Sequence, residues 1–157
     1  MISPELLRWY PFFGAFNDEQ QKEIAMISEE ITAKKGDILF NKGDKAAFLY
    51  VLIEGSVDLY GFVSSEHDPT FYKEFLAGEM ETGSIIGISA LIEPYILTLS
   101  AKVMDHSRLI KIDAIDLHRF CEDDPQFGYS LMKQVARLAM NRLDSTRGLL
   151  AAMFAEW

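Results

Sequence analysis

The pattern of apolar and polar positions changes period twice along the chain. At the start, Ser3 before Pro4 reads as an N-cap followed by a favourable first helical residue. The spacing predicts a short helix to about Arg8 or Trp9, broken by Pro11 and Gly14. Asn17 with Gln20 has capping-box spacing, and Asp18 and Glu19 suit the positive end of a helix over roughly 18–27. The middle alternates with period two. Turn signals at Gly36-Asp37 and Lys42-Gly43-Asp44 bracket Ile38-Leu39-Phe40. Phe48 to Glu54 reads as a buried strand. Glu54-Gly55-Ser56 reads as a turn into a second strand, Val57 to Val63, where alternate residues are apolar or polar. A polar loop from Ser64 to Thr70 leads to a strand from Phe71 to Leu76. Two more, Tyr95 to Val103 and Arg108 to Ile112, are joined by a turn at Asp105-His106-Ser107. Short strands with Gly-rich turns predict an antiparallel sandwich or roll.

Helical period returns after Asp113, which caps a helix from about Ala114 to Glu122; Asp124-Pro125 starts another. From there Met132, Val135, Ala139, Leu143, Leu150, Met153 and Trp157 recur at spacings of three, four or seven, with Leu131 and Leu138 in a neighbouring row. Pro125 to Arg147 alone would span about 35 Å. Gly148 ends this helix or weakens it. A helix this long outruns a small β-unit, so its remaining apolar row either packs on its own roll or pairs with a second copy of the chain. The expected organisation is one domain over residues 1–157, with N-terminal helices over 1–28, β-structure over 29–113 and helices over 114–157.

Composition narrows the function. Hydrophobic residues make up 49% of 157, enough for a core and against disorder. The net charge of −9 divides into −10 over residues 1–123 and +1 over residues 124–157, so no basic nucleic-acid footprint is present. Residues 1–15 lack a basic stretch followed by an apolar one, and the longest apolar run, Phe48 to Ile53, is too short to span a membrane. With a single cysteine, the expectation is a cytoplasmic protein without membrane or nucleic-acid partners. His67, His106 and His118 show no metal-ligand spacing, and no metal or cofactor is expected. Cys121 lies beside Glu122 and two aspartates, which raise a thiol pKa. The acidic pairs Glu79/Glu81, Glu29-Glu30 and Asp123-Asp124 read as surface carboxylates, and no nucleophile elbow or P-loop occurs, so no catalytic residue is assigned.

Two segments carry a resemblance. Ile38-Leu39-Phe40-Asn41-Lys42-Gly43-Asp44 followed by Leu49-Tyr50-Val51-Leu52-Ile53-Glu54-Gly55-Ser56-Val57 resembles the opening of a cyclic-nucleotide-binding domain, with its G-D and E-G-x-V signatures. Gly83-Ser84-Ile85-Ile86-Gly87-Ile88-Ser89-Ala90-Leu91 resembles that family's phosphate-binding cassette, G-D-x-x-G-E-x-A-L, and Leu97-Thr98-Leu99-Ser100-Ala101 resembles its closing x-T-x-x-A. The order and spacing cover roughly residues 5–145. Asp123 to Met132 also looks like the helix start of stand-alone bacterial members. The resemblance implies an α+β, mainly β, antiparallel β-roll (a double-stranded β-helix) with short N-terminal helices, a long C-terminal helix and a small-molecule pocket under residues 83–101. It also implies a homodimer through the long helix, as in the dimeric bacterial regulators of this type. Those regulators continue into a DNA-reading helix-turn-helix, for which residues up to Trp157 leave no room.

The cassette departs from the family pattern at two places. The glutamate that accepts the ribose 2′-hydroxyl is matched by Ile88, and the arginine that pairs with the cyclic phosphate is matched by Tyr95, after Pro94. Losing those bonds would cost roughly 2–4 kcal/mol, or about 30- to 1000-fold in affinity. The expected ligand-contact set is Gly83, Gly87, Ile88, Ser89, Ala90, Leu91, Tyr95 and Thr98, with the N–H groups of Ser89 and Ala90 turned to the ligand. For Gly83 and Gly87 the alternative is plain turn geometry, for Tyr95 packing over the roll, and for Ile88 a core position. The expected dimer set is Met132, Val135, Ala139, Leu143 and Leu150. Two functions follow: a regulatory sensor for a small molecule other than cAMP or cGMP, or a dimeric interaction scaffold whose pocket is vestigial.

Overall fold

The computed structural model describes residues 1–155. Trp157, the last residue of the expected helical stripe, and Glu156 lie outside them. In chain order the elements are α1 (Pro4–Arg8), a 3-10 turn (Pro11–Ala15), α2 (Asp18–Met26), β1 (Ser28–Ala33), β2 (Ile38–Phe40), β3 (Phe48–Ser64), β4 (Tyr72–Met80), β5 (Ile85–Ile86), a 3-10 turn (Ile88–Leu91), β6 (Ser100–Asp113), α3 (Ala114–Asp123) and α4 (Pro125–Ala155). The strands form one antiparallel sheet in the order β1-β6-β3-β4, with β2 on β6 and β5 on β3. This is the expected mainly-β roll flanked by helices.

Three of the four expected caps are made. Asn17 Oδ1 accepts from the Gln20 N–H at 2.8 Å while Gln20 Oε1 accepts from the Asn17 N–H. Asp113 and Asp124 accept from the N–H groups of Asp116 and Phe127. Ser3 differs: its hydroxyl donates to the Glu5 carboxylate and caps nothing.

The strands are fewer and longer than expected. Glu54-Gly55-Ser56 is a bulged bend inside a single 17-residue β3, and Asp105-His106-Ser107 is its counterpart inside β6. The two bends lie against each other, so hydrogen bonding continues across the corner. The Ser56 N–H donates to Ser107 Oγ at 3.2 Å, and that hydroxyl donates to the Asp105 carbonyl at 2.8 Å. Residues 95–99, expected as strand, lie outside the named strands; they meet residues 43–46 through the isolated Lys45–Ile96 bridge and the backbone hydrogen bonds around it, and Leu97 is buried. The polar segment at β1, given no strand in the sequence reading, is an edge strand; Arg108 on β6 reaches Glu30 on β1 and Glu54 on β3.

Alternation along β3 and β6 divides the core. Leu49, Val51, Ile110 and Ile112 face the helices, packing with Leu7, Phe13, Phe16, Ile24, Leu117, Phe127, Leu131 and Val135. Tyr50, Leu52, Leu59, Leu109, Val103 and Ala101 face the interior of the roll. Phe48 to Ile53 is a continuous apolar run because this part of β3 is covered on both sides.

The long helix continues unbroken through Gly148, for about 46 Å. Its inward face is Phe127, Leu131 and Val135. Val135 was expected on the dimer row. It is 3% exposed and packed into the chain's own core, so that assignment is corrected. Met132, Ala139, Leu143 and Leu150 stay outside on the adjacent face.

Candidate functional site

The site is built around the segment between β4 and β6. The Gly83 N–H donates to the Leu52 carbonyl and the Leu52 N–H to the Ser84 carbonyl, which clamps the turn before β5 onto β3. β5 then pairs Ile86 with Tyr50. Gly87 follows with φ +86°, and a Cβ there would lie 3.0 Å from the Phe48 carbonyl oxygen. The left-handed backbone and the close approach together require glycine. This reversal starts the Ile88–Leu91 turn, whose Ile88 and Ser89 border a cavity of about 380 Å³.

Phe40, Leu59, Ile88, Ile92, Pro94, Ile96, Leu97 and Leu99 supply most of its walls. Ser89, Thr98 and Glu93 add polar groups, and Ala139 and Arg142 close it from α4. Of the expected contact set, the structure brings Gly87, Ile88, Ser89 and Thr98 together around this space. The other four lie elsewhere. Gly83 sits on the clamped turn near the Tyr10 ring. Ala90 and Leu91 are buried in the core, and the Ala90 N–H is spent on the Gly87 carbonyl. Tyr95 takes a left-handed backbone, φ 59°, and stacks edge-on against His118 with centroids 4.8 Å apart. It lines a separate hollow against α3. His118 Nε2 lies 2.8 Å from the Ala90 carbonyl, tying α3 to the back of the Ile88–Leu91 turn.

Arg142 was missed as a site residue because it entered only the charge count. The signal was available in its spacing: Leu131, Val135, Leu138 and Arg142 share one helical face, so a cation sits in register with a buried stripe. Its Nη2 donates to the Ile85 carbonyl and lies 4.0 Å from Met80 Sδ. Burial pushes its pKa below the ordinary arginine value, though an arginine remains charged. Among the described residues it makes no ion pair, Glu93 included. The space therefore has a cation, carried by α4.

Elsewhere, Cys121 is half-buried and its thiol is pushed up by burial first and by Asp124 and Glu122 after that. Among the described residues, no group of three or more His, Cys, Asp or Glu is placed to hold a metal ion, and no helix is long and apolar enough to cross a membrane.

Residues 30–124 match the family model for the cyclic nucleotide-binding domain. This chain belongs to that family. A protein of Geobacter metallireducens described as cyclic nucleotide-binding is 38% identical, with 91% of this chain and 99% of that one covered and a TM-score of 0.79. The N-terminal domain of a transcriptional regulator from Streptomyces coelicolor is 28% identical, covering 89% and 94%, with a TM-score of 0.66. An uncharacterised protein of Haemophilus influenzae is 27% identical over 111 residues, 71% of this chain and 81% of that protein. Family and fold are of the regulatory, ligand-binding kind. In this member of the cyclic nucleotide-binding family, the β-roll and the Ile88–Leu91 turn border a cavity that Ala139 and Arg142 of α4 also line.

Proposed function

We propose that this domain is a cytoplasmic sensor for a small molecule other than cAMP or cGMP, working as a homodimer through α4. The observation that carries the reading is the cavity under Ile88–Leu91, whose cassette wall offers neither a carboxylate at Ile88 nor a cation at Tyr95. Tyr95 is committed to His118, outside the lining of that space. A cyclic nucleotide in the family's orientation would lay its ribose hydroxyl on an isoleucine and its phosphate beside no cassette cation, at a cost of about 2–4 kcal/mol. Calorimetric titration with cAMP and cGMP should accordingly give dissociation constants weaker than about 10 μM. Tighter binding of either would overturn the reading.

The dimer rests on the outward row of α4. Met132, Ala136, Ala139, Leu143, Leu150 and Met153 fall near the 3.5-residue spacing of a two-helix seam. All are on the exposed side, with Leu143 at 48% and Met153 at 70%. Ala139 lies on this row and also lines the cavity. A ligand that prefers one placement of α4 would thus bias the dimer, which is all that regulation by population shift requires. Light scattering should give a dimer mass, and Leu143→Glu should convert it to monomer without loss of helix content. A monomer at every concentration would remove the dimer from the proposal.

A further inference from the structure

We infer that the cavity takes an organic anion with an apolar body, held by Arg142 on α4 and not by the cassette. This rests on reading the cavity as a ligand site and goes on to name the chemical class of its occupant. The half-buried guanidinium is a costly group to leave without a counter-charge, and the chain gives it none among its described residues. Its protein contacts are the Ile85 carbonyl and the Met80 sulfur, whereas a guanidinium carries five donors. It sits where an apolar cavity meets the helix that covers it. A carboxylate or phosphate entering that space would meet a guanidinium with donors beyond the one given to Ile85, and a charge-assisted hydrogen bond to it is the strong kind.

The surroundings restrict the class further. Residues 1–123 carry −10 overall, so Arg142 is the local exception to a field that repels anions. Glu93 is also in the lining, exposed to solvent and unpaired with Arg142. It disfavours a second negative group on the same ligand. The apolar walls, from Phe40 and Leu59 to Leu97 and Leu99, call for a hydrocarbon or aromatic body. The predicted occupant is therefore a compact monoanion, its charge on α4 and its body under the roll.

The test is titration calorimetry of the whole chain at pH 7 with octanoate and with 1-octanol, which differ in charge but share a chain length. Wild type should bind octanoate at least about tenfold tighter than octanol, the size of a charge-assisted hydrogen bond. Arg142→Gln should remove that preference, lowering octanoate affinity by about 10- to 100-fold while leaving octanol within a factor of about three. Arg142→Lys keeps the charge but not the fork, and should restore part of the preference. Thr98→Trp, which fills the cavity, should abolish both isotherms. Equal affinity for the two probes in wild type, or a preference that survives in Arg142→Gln, overturns the role of Arg142 and leaves the sensor reading standing. Binding that survives Thr98→Trp, or no binding of either probe, overturns the ligand cavity itself and the inference with it.

Discussion

Replacing Gly55 with alanine should destabilise the protein by about 3–5 kcal/mol, and valine should prevent folding. The residue sits at φ +108° at the bend of β3, a backbone region that costs an L-residue about 1–2 kcal/mol. A Cβ there would also lie 2.1 Å from Ser107 Oγ, 2.7 Å from the His106 carbonyl oxygen and 2.7 Å from Ser107 Cα. Two of those three atoms are backbone of the facing bend in β6 and cannot rotate away. The added group would part the strands at the corner where the Ser56 N–H reaches Ser107 Oγ. Against a typical stability of about 5–15 kcal/mol, the loss is a large share of the whole. Urea unfolding of Gly55→Ala checks it, and Ser107→Ala in the same chain should rescue little. A loss below about 1 kcal/mol would mean that the two bends do not press together.

Phe127→Ala should cost about 3–5 kcal/mol. Phe127 is 2% exposed, with the Phe16 ring 5.1 Å away and the Phe120 ring 6.5 Å away. It joins the N-terminal helices, α3 and the first turn of α4 in one aromatic cluster, so truncation leaves a hole no neighbour can fill without moving a helix. Because α4 also carries Ala139 and Arg142 to the cavity, the variant should lose ligand affinity along with stability. A melting temperature within a few degrees of wild type would show that α4 is seated by the roll alone.

Local chemistry made much of the fold legible. The capping pair Asn17/Gln20, the aspartates at 113 and 124 and the apolar run from Phe48 to Ile53 each act over a few residues, and each is found where the pattern placed it. What failed depended on distant partners. Glu54-Gly55-Ser56 has the composition of a turn, and only the matching bend in β6 shows that the strand continues. Periodicity identified two apolar rows on α4 but could not say which faces inward, which put Val135 on the wrong side. Tyr95 stands where the resemblance implies the cassette arginine, with packing as the alternative; only its left-handed backbone and the His118 ring, remote in sequence, show that it lines a different hollow. Arg142 lines the cavity only because α4, which begins more than thirty residues after the Ile88–Leu91 turn, crosses it, a relation that no local window contains.

β3 has a consequence for how any signal would leave the cavity. Its Leu59 lies in the wall of that space, while Leu49 and Val51, ten and eight positions earlier on the same strand, lie beneath the helices. Cavity and helical cover are thus mounted on one continuous beam, pinned at its midpoint by the paired bends. Displacement of the far end should be felt at the near end as leverage, without any hinge between two bodies.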